Sequence, residues 1–163
     1  MAYPTGQYFI DGMDLWVVFS IIVAAGSDDL LKLPARKDSI SHDWLDENGT
    51  DVDLSRVFFE SREINLECGM IANDEADFHN KFTAFKAVIA QPQLRRLESS
   101  ELSSSFFVYY KDCSSFVRAT RIKAGPNAGK VAAKFTLVLV EKSPTIDSSN
   151  VFMITDDNRL MIT

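Results

Sequence analysis

The chain has 163 residues, 17 basic and 23 acidic, with a formal charge of −6. One domain of this length buries about two-thirds of its surface on folding. With 46% apolar residues and twelve Phe it needs no disulfide or metal, which excludes a disordered chain, a cysteine-stapled mini-protein and a collagen-like fibre.

Taken in chain order, most of the sequence reads as strands. Tyr8-Phe9-Ile10 and Met13 flank Asp11-Gly12, a pair that tolerates positive φ and predicts a tight hairpin. The apolar run Leu15–Ala25 reads as one buried strand, broken by Gly26-Ser27-Asp28-Asp29. It is far shorter than the ~20 residues that span a bilayer. Asp11 and Asp14 stand where a signal peptide would be basic, so neither export by that route nor a membrane partner is expected.

Residues 34–56 are polar and long for a loop. Ile40, Trp44, Leu45, Val52 and Leu54 surround Asn48-Gly49, a second hairpin signal, which predicts an extended two-stranded arm. Such an arm is marginal alone and needs something to lie against.

Val57–Ala72 then alternates over its second half. Arg62, Ile64, Leu66, Cys68 and Met70 share one face and Glu63, Asn65 and Glu67 the other, the pattern of a half-buried antiparallel strand, with Gly69 marking a bulge near its end. A helix is predicted over 74–91, capped by Asn73 or Asp74 and stopped by Pro92. Phe78, Phe82, Phe85 and Ile89 form its apolar stripe, which reads as core. Strands follow at Phe106–Tyr110, Phe116–Lys123 and Val131–Lys142, with Lys111-Asp-Cys-Ser-Ser115 as a polar turn between the first two. Ser143-Pro144-Thr145 ends the compact domain of residues 1–143. The tail, 144–163, is expected to form a small hairpin around Asp156-Asp157-Asn158.

Tests for chemistry fail one after another. Gly125-Pro-Asn-Ala-Gly129-Lys130 is one residue short of a phosphate loop and has Val131 where Mg²⁺ needs Ser or Thr, so it reads as a hairpin turn. The acidic run Asp43 to Asp53 puts Trp44 first when Gly49 is set at the sixth position of a calcium loop. His42 and His79 stand beside no activated Ser, and no Gly-x-Ser-x-Gly elbow exists. Cys68 reads as a small core residue and Cys113 as a reduced thiol in a polar turn. No enzyme, cofactor or metal is expected.

Acidity also argues against general nucleic-acid binding, whose affinity comes from Lys and Arg neutralising phosphates. The charge is uneven: residues 1–81 carry −10 and residues 82–163 carry +4. On separate faces, these halves suit head-to-tail association into rings or filaments. The alternative is one domain that mixes its charges in space.

One pattern is more specific. Leu33-Pro-Ala-Arg36-Lys37 through His42-Asp43-Trp44-Leu-Asp46 and Asn48-Gly49 to Leu54 leads into Arg62-Glu-Ile-Asn-Leu-Glu-Cys68. A Phe-rich helix, Tyr109-Tyr110-Lys111 and Lys134–Glu141 follow. This order resembles the N-terminal ring domain of distal tail proteins of bacteriophages and prophages, a family related to tail-tube proteins. The resemblance covers roughly residues 13–142 and rests on element order.

It implies a mainly β fold with one helix (α+β), an antiparallel β-sandwich or split barrel with a single packed α-helix and an extended β-hairpin arm. It also implies a hexameric ring in the virion tail, assembled in the bacterial cytoplasm, joining tail-tube to tail-tip proteins. DNA would pass through the lumen unbound, and net acidity suits such a conduit. The arm would lie on the next subunit, which makes Arg36, Lys37, His42, Asp43, Trp44, Asp46, Asn48 and Gly49 the candidate interface. The alternative from a different class is a stand-alone β-sandwich module presenting Trp44, Tyr109 and Tyr110 to a carbohydrate or protein ligand.

Overall fold

The computed structural model describes residues 5–46, 48–119 and 122–145, and the strand backbone of 152–154 and 160–162. Strand β1 (Tyr8–Ile10) turns through Asp11 and Gly12, both at positive φ (52° and 78°), into β2 (Met13–Asp14). Ile10 pairs with Met13, so the two-residue hairpin is as expected.

The next stretch corrects the sequence reading. Leu15–Ala25 is not one strand but helix α1 (Leu15–Phe19), a left-handed Ser20, and strand β3 (Ile21–Ala25). Asp14 causes the change: its Oδ1 accepts from the Trp16 and Val17 amides at 2.8 and 3.0 Å, and its Oδ2 from Gly6 at 2.6 Å. A capping carboxylate satisfies donors that a strand would leave to a neighbour. Asp14→Ala is expected to cost about 1–2 kcal/mol, read as a fall in the urea midpoint with unchanged slope. The break at Gly26 leads into a single turn, α2 (Asp28–Leu31), whose Asp29 accepts the Asn65 amide at 3.0 Å.

Three elements follow expectation closely. The arm carries two short paired strands, β4 (Ser41–His42) and β5 (Asp51–Val52). Strand β6 (Arg62–Ala72) buries Ile64, Leu66, Cys68, Met70 and Ala72 on one face. Helix α3 (Glu75–Ile89) is capped by Asp74 and buries Phe78, Phe85 and Ile89. Asp77 in its first turn accepts from the Asn73 amide, which holds its carboxyl below the usual range.

Gly69 is in regular register with both neighbouring strands; the bulge lies on β3, between Val23 and Ala25. What Gly69 provides is room, since a Cβ there would sit 3.3 Å from the Ile22 side chain.

Strand β7 (Arg95–Ser99) was absent from the sequence reading. It joins β1 through Asp11, whose carboxylate takes the Arg96 amide at 2.9 Å and the Arg95 guanidinium at 3.1 Å. Strand β8 (Ser104–Ala119) runs straight through the expected Lys111–Ser115 turn. The polar residues are absorbed by two register shifts, at Tyr110/Asp112 and Cys113/Ser115, against β9 (Val131–Glu141). Gly125 and Gly129, at φ 90° and 88°, turn the β8–β9 hairpin as expected. In the tail, β10 (Phe152–Ile154) pairs with β11 (Leu160–Ile162). The turn residues predicted between them lie outside the described residues.

The main sheet is antiparallel and seven-stranded, in the order β2-β1-β7-β8-β9-β6-β3. Its two edges, β2 and β3, are joined by α1 and Ser20 alone. Laid flat, seven strands would span about 29 Å, but a helical connection this short bridges about 10 Å. The sheet therefore curls but stays open, and α1, in contact with β1, β2, β3 and α3, spans the gap between its edges. The mainly β class with one long packed helix is as the sequence implies. Phe19, Phe78, Phe82, Phe85, Phe116 and Phe135 meet ring to ring at 5.3–6.1 Å centroid distances, with Phe19, Phe78, Phe85 and Phe135 buried and Phe116 exposed at the margin of the cluster.

The charged halves are interleaved in this fold. Arg62–Glu141, Arg95–Asp11, Lys111–Glu63, Arg118–Glu75 and Lys134–Glu67 all pair one half with the other.

Candidate functional site

The arm is one hairpin from Ala35 to Glu60. At its root the Lys37 amide donates to Phe58 at 2.9 Å, the Glu60 amide to Ala35 at 2.8 Å, and Arg36 bridges Phe59. Nearer the tip, Ser41 faces Val52, His42 faces Asp51, and the Asp53 amide donates to Ile40 at 2.9 Å. Between these paired zones the strands part around a trough of about 450 Å³ lined by Lys37, Asp38, Ile40, Asp53, Arg56 and Phe58. Asp53 accepts from Ser55 there, which lowers its carboxyl pKa.

The expected interface residues all fall on this arm. Arg36 donates to the Ser39 hydroxyl at 3.0 Å, and Lys37 lines the trough. The His42 ring packs edge-on against Trp44, with centroids 3.9 Å apart. Asp43, Asp46 and Asn48 are exposed near the tip, which Gly49 turns at φ 90°. Glu47 lies outside the described residues.

Among the described residues, the arm's apolar side chains are largely uncovered. Ile40 is 83% exposed, Phe58 62% and Trp44 49%, while Leu45 is entirely exposed. Exposed apolar surface on this scale marks a contact surface. Residues 33–60 hold seven acids and three bases, and among the described residues none of these acids is ion-paired.

The sequence reading missed what fixes the root. Arg62 donates from Nε and Nη2 to Glu141 Oε2 at 2.9 and 2.5 Å, and from Nη1 to the Leu30 and Lys32 carbonyls at 3.1 and 2.5 Å. One guanidinium thus ties the chain entering the arm to the strand leaving it. Arg62 standing on the apolar face of β6 was the available signal, because a charge there must be paired.

Nothing in this arrangement gathers reacting groups. Among the described residues no cluster of three or more His, Cys, Asp or Glu forms a metal site. No described helix is long and apolar enough to cross a membrane. Cys68 and Cys113 are free thiols; burial, and secondarily Cys113, pushes Cys68 up to about 12.

With this geometry in hand, solved structures provide a match. The chain shares its fold with the SPP1 Dit (gp 19.1) protein, described as a paradigm of the hub adsorption apparatus in phages infecting Gram-positive bacteria. The TM-score is 0.56 at 13% identity, over 85% of this chain and 50% of that one. The chain spans about half the length of that relative. No protein-family model matches the sequence. No curated protein matches it either.

Proposed function

We propose that this chain is a structural subunit of a phage or prophage tail, forming a hexameric ring that connects the tail tube to the distal tip. The observation that carries the reading is the fold shared with a tail hub protein over 85% of the chain. The uncovered arm supports it, because a hairpin that exposes Ile40, Trp44, Leu45 and Phe58, with nothing among the described residues lying over them, calls for a neighbour. In this reading the arm is the interface, residues 1–143 form the ring domain, and 144–163 extend beyond it. Tail-tube and tail-tip proteins are the axial partners. DNA passes the lumen without specific contacts, and the particle's location is the virion tail.

Light scattering and negative-stain images test this. The intact chain is expected to form discrete rings at high concentration, and a chain lacking residues 36–54 to remain monomeric with its far-ultraviolet spectrum otherwise native. A deletion variant that still forms rings would remove the arm from the interface. A strictly monomeric intact chain, even with tail-tube protein added, would overturn the ring.

The ligand-module alternative gains less support. Tyr109 and Tyr110 are both exposed, but adjacent strand residues face opposite ways. They therefore cannot form one stacking platform.

A further inference from the structure

We infer that the apolar C-terminal hairpin, β10 and β11, packs back onto the root of its own arm, against Phe58. The contact lies within one chain, so it does not depend on the ring proposed above.

The first observation is a hairpin that cannot stand by itself. Strands β10 (Phe-Met-Ile) and β11 (Leu-Met-Ile) have three residues each, apolar throughout, and form a sheet of their own. Two-stranded hairpins are marginal alone in water. An all-apolar pair also has no polar face to give to solvent. It needs cover.

The second observation is where the chain leads. Beyond β9, Lys142, the buried Pro144 and Thr145 line a trough of about 410 Å³ together with Lys37, Val57 and Phe58 of the arm root. Phe58 also lines the trough within the arm. It is 62% exposed and Val57 49%, so neither is covered by the described residues. The tail thus leaves the domain beside an exposed phenyl ring that borders two recesses. Only six residues separate Thr145 from β10, a span of at most about 20 Å.

Charge agrees with position. No acid lines the trough at Pro144, and among the described residues neither Lys37 nor Lys142 is ion-paired. Residues 146–163 hold three acids, Asp147, Asp156 and Asp157, and one base, Arg159. Opposite charges on the two sides fix the register of a contact that apolar surface alone would leave loose.

Other apolar surfaces are worse placed. A trough of about 210 Å³ between α3 and β8 is lined by Phe82, Tyr110 and Cys113, but by no residue after β9. Trp44 and Leu45 lie beyond the β4–β5 pairing, toward the arm tip, and are left for a neighbouring molecule.

Disulfide trapping tests the contact in the full chain carrying Cys113→Ser. Phe58→Cys or Val57→Cys is combined with Met153→Cys, Ile154→Cys or Met161→Cys and treated with diamide. At least one pair is expected to give monomers linked between root and tail, identified by peptide mapping. Its rate should exceed, by about tenfold or more, that of Val117→Cys with the same tail substitution, because a seated tail raises the local thiol concentration. Val117 is 67% exposed but pairs with Lys134, toward the far end of β9. All these root and control side chains are exposed, and melting curves confirm that each variant folds. Equal rates at residues 57, 58 and 117 overturn the inference, since a tail that visits every surface has no site. Bonds formed only between chains overturn it as well and give the trough to the tail of a second copy. The ring is read separately, by light scattering and images, and stands or falls independently of this result.

Discussion

Gly26→Ala is expected to lower stability by about 3–5 kcal/mol, among the largest effects of any single methyl group in this chain. Gly26 has φ 96°, and a Cβ there would lie 2.0 Å from the Asn65 carbonyl oxygen. That neighbour is backbone of β6, already fixed between β3 and β9, so it cannot yield as a flexible side chain would. A thermal melt should show a fall of about 10 °C or more for a domain of this size. Gly12→Ala is the control: its φ is 78° but its Cβ would meet nothing within 4 Å. It should cost only about 1 kcal/mol, the backbone term alone. Equal losses in the two variants would mean that the close approach at Gly26 does not matter.

Arg62→Met should cost a similar amount, about 3–5 kcal/mol, for a different reason. Removing the guanidinium leaves the Glu141 carboxylate, whose side chain is only 10% exposed, without its partner. The carbonyls of Leu30 and Lys32 lose their donor in the same step, and the Phe106 ring loses the cation 5.6 Å from its centroid. Arg62→Met combined with Glu141→Leu should recover much of the loss, because the unpaired buried charge is the expensive part. Denaturant titration of both variants measures this, and hydrogen exchange adds a local readout. Amides of residues 30–37 should exchange faster in both variants if Arg62 anchors the arm root. Additive losses in the double variant would show that the ion pair is not the source of the cost.

Elements whose pattern repeats over many residues were legible in the sequence. Strand β6 alternates through eleven residues and α3 places Phe at helical spacing through fifteen, so each announces both its type and its buried face. The Asp11-Gly12 and Asn48-Gly49 pairs gave two turns, because few residue pairs accept positive φ. The misread elements are short or locally atypical. Five apolar residues of α1 followed by five of β3 look identical to one buried strand, and only the Asp14 cap separates them. Strand β7 reads Arg-Arg-Leu-Glu-Ser and has a single large apolar residue, Leu97, so tertiary pairing creates it. The Lys111–Ser115 segment has turn composition, yet two bulges let a strand carry it. The arm as a candidate surface was visible from its long polar stretch and the Asn48-Gly49 turn among scattered apolar residues. The trough between α3 and β8 was not, because Phe82, Tyr110 and Cys113 meet only after β8 and α3 have packed.

The order of strands in the sheet has a consequence for how the chain is made. The first strands synthesised, β1, β2 and β3, sit at or near the sheet's two rims, while β9, the last of the seven, sits between β8 and β6 near its middle. Until residue 141 has left the ribosome, β6 and β8 have no common neighbour. Each can pair on its other side, with β3 and β7, but presents one open edge until then. Long-range closure of this kind slows folding and exposes aggregation-prone edges meanwhile. The protein's most vulnerable moment comes before its sheet is complete, when a chaperone or a cool expression temperature would help it most.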